Sequence, residues 1–354
     1  DLQRLSIPKS GNLITSPLSA QVVLAMAAYG ASGTTAMQMR SALFIPSNDK
    51  LGQSEYQSLI KTLNVRVELR LANKIYMSIQ AAVKPEYKKL TAEKFLSSSQ
   101  EVDFSDAEGS ARIINAWCKE QTNKRIKDLI TPDSLCSDTM LVLVNAVYFK
   151  GQWEKKFRPA HTQNRPFHVD ETIVIPVPTM FIETILRFGK LKELSARFIE
   201  IPYQGGDISM IVILPNEING LKKVQDNLHM VDLSQSLQQS RYDEVELFLP
   251  KFKIESTLDL KTVLQNLGMT DMFEDNADFS CITDTPVKVS KVIQKAFIEV
   301  NEEGSEAAAA TDMDCVLMCA RDNEVFNVDR PFYYQIRSKS QNVPLFAGIY
   351  TAQQ

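Results

Sequence analysis

Two stretches of the chain read as strands, Val289 to Val300 and Phe332 to Arg337. Between them lies NEEGSEAAAATDMDCVLMCARDN, residues 301–323. Most connections in compact domains run about 4–6 residues, and loops longer than about 12–15 are usually functional or disordered. A flexible alanine-rich tether would carry no parity, and this segment carries it. Ser305, Ala307, Ala309, Thr311, Met313, Cys315 and Leu317 are all small or apolar. Their even-numbered neighbours, from Glu306 to Met318, hold every charge. Alternation with period 2 is the mark of a strand with one buried face. A segment patterned as a strand but placed as a long loop is written for two states.

The rest of the chain supplies a mixed scaffold. Ser16-Pro17 opens a helix with Leu18, Val22, Val23, Met26 and Ala27 on one stripe, because serine before a first-turn proline is a start signal. Met37 to Leu43 reads as a second short helix and Ala72 to Tyr76 as a strand. Ala111 to Ile130 reads as a long helix with Ile114, Trp117 and Ile126 inward. Leu141 to Phe149 is too uniformly apolar for a half-exposed strand and reads as buried on both faces. After Ile173 strands and turns dominate: Ile208 to Leu214, Val245 to Leu249, Phe252 to Ile254 and Pro344 to Tyr350, with a helix from Asp259 to Leu267 closed by Gly268. The expected class is α+β.

Composition removes several function classes. With 44% apolar and 23% charged residues the chain is not disordered. A net charge of −4 provides no basic field for nucleic acid or an anionic membrane. The longest apolar run, Leu141 to Phe149, is about half a bilayer span. Five cysteines, Cys118, Cys136, Cys281, Cys315 and Cys319, contain no C-x-x-C and form no disulfide framework. The three histidines, His161, His168 and His229, fall in no metalloprotease motif, and no nucleophile elbow, P-loop or dinucleotide fingerprint occurs. No enzyme, metal or cofactor is expected. The polar opening at Asp1 fits either a removed leader or none, so composition leaves the compartment undecided; an extracellular location is the expectation, with an intracellular one left open.

A resemblance joins these pieces. NLITSPLSAQVVLAMAAYGASGTT, INAWCKEQTNKRIKDLI, LVLVNAVYFKGQWEKKF, LPKFKIESTLDLKTVLQNLGMTDMF, VSKVIQKAFIEVNEEGSEAAAAT and RPFYYQIRSKSQNVPLFAGIY resemble the serpin family in order and spacing. The hinge is similar in style to arthropod members. The resemblance implies one domain over residues 1–354, with about nine helices around three β-sheets and an exposed reactive loop at about 302–324. It implies a suicide substrate: the loop is cut by an endopeptidase, an acyl-enzyme forms, and the loop inserts into the central sheet, trapping the peptidase in a covalent 1:1 complex with a monomeric inhibitor. The implied hinge is Glu302, Glu303, Gly304, Ser305, Glu306, Ala307, Ala308, Ala309, Ala310 and Thr311, with Gly304 turning freely. Ser16, Ser19 and Asn145 match the shutter, the polar network under the sheet, and Trp153 matches the breach where the loop enters. One departure is Gln294, where many serpins carry histidine. Glutamine still donates and accepts.

The inserting strand, Ser305 to Met318, has 14 residues, roughly 45 Å at about 3.3 Å each. At ~0.5–1.5 kcal/mol net per backbone hydrogen bond it supplies on the order of 7–20 kcal/mol, against about 5–15 kcal/mol for the stability of a typical domain. Family spacing from Glu302-Glu303-Gly304 places the scissile bond at Met318–Cys319. Leu317–Met318 and Cys319–Ala320 lie within the spacing's uncertainty, and Arg321 is the trypsin-like alternative. Val316, Leu317, Ala320 and Arg321 flank the bond. Met318 suits a chymotrypsin- or elastase-like serine peptidase, and Leu317 a papain-like cysteine peptidase. The alternative is a non-inhibitory serpin acting as carrier, storage protein or chaperone. Those tend to carry bulky or charged residues on the inserting face, whereas this face is clean as far as Leu317.

Overall fold

The computed structural model describes residues 11–66, 68–304 and 323–352. In chain order the first elements are β1 Leu13–Thr15, α1 Pro17–Ala28, α2 Gly33–Ala42, α3 Asp49–Arg66, β2 Glu68–Ser78, α4 Pro85–Phe95, β3 Ser98–Val102, α5 Ala107–Gln121 and β4 Leu141–Lys150. Next come β5 Gln163–His168, β6 Val174–Leu191, β7 Ala196–Pro202, β8 Ile208–Pro215, α6 Leu221–Asn227, α7 Leu233–Gln239, β9 Arg241–Pro250 and β10 Phe252–Asp259. The last are α8 Lys261–Asn266, β11 Val289–Val300, β12 Glu324–Asn327, β13 Phe332–Ser338 and β14 Val343–Tyr350. Packing divides the chain into two compact units. Among the described residues, one takes 15–66, 68–149 and 255–297, and the other 11–14, 150–254, 298–304 and 323–352.

The first unit is built on a five-stranded sheet ordered β10-β11-β4-β2-β3. Alternation along these strands sends side chains to two separate apolar layers. Leu141, Leu143, Ile75, Met77 and Val292 pack with α1 on one side. Val142, Val144, Tyr148, Tyr76 and Phe297 pack with Ile114 and Cys118 of α5 on the other. This is why Leu141 to Phe149 reads as continuously apolar: every one of its residues is buried. Helix α1 goes beyond the expected stripe. All its residues but Pro17 and Gln21 are buried, as in a helix surrounded by core.

The long helix expected to Ile130 stops at Gln121. The Thr122 hydroxyl donates back to the Cys118 carbonyl, and Asn123 and Lys124 take positive φ of 50° and 64°. Ile126, Leu129 and Ile130 are nonetheless buried. The Asn115 side chain accepts from the backbone N–H groups of Leu129 and Ile130 and donates to the Ile130 carbonyl. A side-chain amide thus supplies the partners that continued helix would have given.

The second unit holds a nine-stranded sheet, β1-β14-β13-β8-β7-β6-β9-β12, with β5 added on β6. The 18-residue β6 pairs with β5 at its start, β9 through its middle and β7 at its end. The resemblance implies three sheets, whereas pairing through this one strand holds β5, β7 and β9 in a single sheet. The described residues therefore show eight α-helices and two sheets in the expected α+β class.

Candidate functional site

Within the first unit, β4 and β11 pair in parallel from Leu141 and Val289 to Tyr148 and Phe297, and Asn145 stands directly opposite Gln294. The Gln294 amide is fully used. Its Oε1 accepts from the Thr15 hydroxyl at 2.6 Å and the Ser16 N–H at 2.9 Å. Its Nε2 donates to the Ser16 carbonyl at 2.9 Å and to Asn145 Oδ1 at 2.6 Å. Asn145 Nδ2 in turn donates to the Ser19 hydroxyl and, at 2.5 Å, to Asn73 Oδ1. The Ser16 hydroxyl caps α1 by accepting from the Ser19 N–H.

The structure thus brings Ser16, Ser19, Asn145 and Gln294 together, all fully buried. It adds Thr15 and Asn73, which sequence reasoning missed. Asn73 did leave a signal, as an amide inside the apolar run LRLANKIYM, since a buried polar side chain demands partners. All six side chains are neutral, so glutamine preserves the network and removes the titration that histidine would bring there.

The second unit contains Trp153, expected at the breach, and Glu302 to Gly304, where the hinge is expected to start. Trp153 is buried, stacked on Tyr203 with centroids 4.3 Å apart and edge-on to Phe157 at 6.1 Å. Its indole N–H donates to the Asn301 carbonyl at 2.9 Å, and its backbone N–H to the Glu303 carbonyl at 3.0 Å. The Phe157 N–H donates to the Glu302 carbonyl. Asn301 Oδ1 accepts from the Glu303 and Gly304 N–H groups and closes a turn.

Gly304 was expected to turn freely, and it is instead held. It bridges to Gln152 and sits at φ +139°. A Cβ there would lie 2.0 Å from the Gly151 carbonyl oxygen. Glycine is required by close backbone approach, and rotation about it must first break this bridge. Both glutamates are anchored too. Glu302 accepts from Lys251 Nζ at 2.8 Å and from the Thr162 hydroxyl at 2.8 Å, while Glu303 pairs with Lys156 at 2.7 Å. Burial pushes the Glu302 carboxyl up, but hydrogen bonds from Lys251, its own backbone N–H and Thr162, together with the Lys251 charge, outweigh it and hold its pKa below the usual carboxylate value.

The remaining hinge residues Ser305, Glu306, Ala307, Ala308, Ala309, Ala310 and Thr311 lie outside the described residues, as do Val316, Leu317, Met318, Cys319, Ala320 and Arg321. On the far side of these positions β12 begins at Glu324 and runs parallel to β9.

Comparison with known proteins gives a consistent result. The family model described as serpin, serine protease inhibitor, matches residues 2–352. Antichymotrypsin-2 of Bombyx mori is 38% identical, covering 96% of this chain and 91% of that protein. Iris of Ixodes ricinus is 38% identical over 96% and 92%. Among solved structures, Serpin48, a highly specific serpin of the insect Tenebrio molitor, superposes with a TM-score of 0.92 at 34% identity, covering 100% of this chain and 95% of that one.

Proposed function

Because the chain belongs to the serpin family, a family of protease inhibitors rather than catalysts, we propose that it is a single-use endopeptidase inhibitor. In this reading it works as one monomeric domain and forms a covalent 1:1 complex. The target's nucleophile attacks the Met318 carbonyl carbon and forms an ester or thioester. The peptide nitrogen of Cys319 leaves with a proton as the new N-terminus. Ser305 to Met318 then enters between β4 and β11 as a further strand and carries the acylated peptidase with it.

The observation that carries this reading is the seam itself. β4 and β11 are joined directly, with no strand between them. Four residues beyond β11 the chain leaves an anchored turn at Gly304, and the segment that follows has small residues on one parity. Parting the seam breaks the Gln294–Asn145 bond, and a new strand offers backbone partners to both edges.

The target reads apolar residues. A chymotrypsin- or elastase-like serine peptidase takes Met318, and a papain-like cysteine peptidase reads Leu317 more strongly. The name of the Bombyx mori relative favours testing the serine class first. The reading also places the inhibitor outside cells, where comparison of culture medium with lysate checks it.

The deciding experiment incubates the protein with chymotrypsin, elastase, papain and trypsin. It scores residual activity, denaturation-resistant adducts and the N-terminus of the released fragment. A stoichiometric adduct with a fragment beginning at Cys319 is expected. A stable complex releasing a fragment that begins at Asp322 assigns the bond to Arg321 instead. Cleavage with full enzyme recovery and no loss of activity rejects inhibition and leaves a non-inhibitory serpin.

A further inference from the structure

On the second unit an open cleft of about 330 Å³ falls within the roughly 300–1,000 Å³ of small-molecule sites. Its floor is the ring pair Phe181 and Phe248, in register on β6 and β9, with centroids 4.8 Å apart and planes 33° apart. Arg165 of β5 reaches across β6 and sets its guanidinium carbon 3.9 Å from the Phe248 centroid. The intervening position is Thr179, small enough to let it pass. The His161 ring lies 6.1 Å from Phe181. One face of Phe248 is thus covered by the cation, and Phe181 forms the floor between Arg165 and His161.

Charge is distributed unevenly along the cleft. Arg165 pairs in register with Val177, near one end of the lined stretch of β6. Glu246 pairs with Glu183, beyond the other end. Among the described residues the Arg165 side chain makes its ring contact and has no carboxylate or carbonyl partner, so its planar fork of N–H donors is free. A stacked guanidinium with a free fork is a carboxylate receptor. An aromatic floor beside it adds stacking for a flat ring. Glu246 at the far end disfavours a second anionic group on the same ligand.

We propose that this cleft binds a planar aromatic monocarboxylate, its ring over Phe181 and its carboxylate on Arg165, with the Gln163 amide beside it. The inference does not rest on peptidase inhibition. Indole-3-acetate is the probe, titrated calorimetrically into the full chain, with indole-3-acetamide as its uncharged twin. Saturable 1:1 binding is expected, weakened about tenfold by Arg165→Gln and about tenfold for the acetamide, as loss of a charge-assisted bidentate contact predicts. Arg165→Gln removes a half-buried cation without a carboxylate partner among the described residues, so its melting temperature should match the parent. Phe181→Ala is the second variant, expected to abolish binding where it folds. Absence of saturation at millimolar probe overturns the proposal, as does equal affinity of the acetamide or of Arg165→Gln. A slower capture of chymotrypsin by Arg165→Gln with no indole-3-acetate binding also overturns it, and assigns the surface to the peptidase.

Discussion

Gln294 shows how much one side chain can fix. Its amide makes four hydrogen bonds with no solvent contact, and only one of them, to Asn145, crosses from β11 to β4. Gln294→Ala takes from Asn145 Oδ1 and the Thr15 hydroxyl the interior partner that Gln294 supplies. A loss of about 1–3 kcal/mol is expected for a buried unsatisfied group. Denaturant unfolding of the uncleaved protein measures it, together with faster spontaneous loss of inhibitory activity on warming. Glu302 gives a pH prediction of definite sign. Its folded pKa is depressed, so its contribution is fully present above the unfolded value of about 4.3 and is lost as pH falls through the lower folded value. The stability difference between wild type and Glu302→Gln should therefore be largest near neutrality and close progressively below about pH 4. A difference that widens on acidification would contradict the Lys251 and Thr162 bonds.

At the scale of the element, the inserting strand and the seam place opposite demands on side chains. In the proposed insertion, positions of one parity in 305–317 enter the face that Asn145 and Gln294 share, where both are fully buried. Ala309→Arg or Thr311→Arg would bury an unpaired charge, whose cost runs to several kcal/mol. Each variant should still be cleaved yet release active peptidase, seen as a stoichiometry of inhibition rising severalfold. Alanine at the neighbouring exposed parity, Asp312→Ala, should leave stoichiometry unchanged. Leu317→Gly against Met318→Gly separates the target classes. Loss of papain-like inhibition in the first with chymotrypsin-like inhibition retained is the cysteine-class outcome, and the reverse pattern is the serine-class one.

For the whole molecule, the expected consequence is metastability. Cleavage within Val316 to Arg321 should raise the melting temperature strongly, because about 14 new backbone bonds at ~0.5–1.5 kcal/mol each add stabilisation comparable with the whole stability of a typical domain. Calorimetry before and after limited proteolysis reads this directly, and an unchanged transition would remove insertion from the mechanism. Much of this molecule was legible in residue order alone. The doubly apolar run at Leu141 marks a central strand and Ser16-Pro17 starts α1, because both depend on local periodicity and capping. Tertiary structure decided the remainder. Asn73 and Thr15 join the network only because packing brings Asn73 to Asn145, 72 positions away, and Thr15 to Gln294, 279 positions away. The helix expected to Ile130 ends at Gln121 because Asn115 captures the backbone of residues that a periodicity would have kept helical. Gly304 is pinned rather than free because Gly151 and Gln152 lie against it. Periodicity fixes which face a side chain takes within its own element. The partner waiting on that face is set by chain packing between distant segments, which no local pattern encodes.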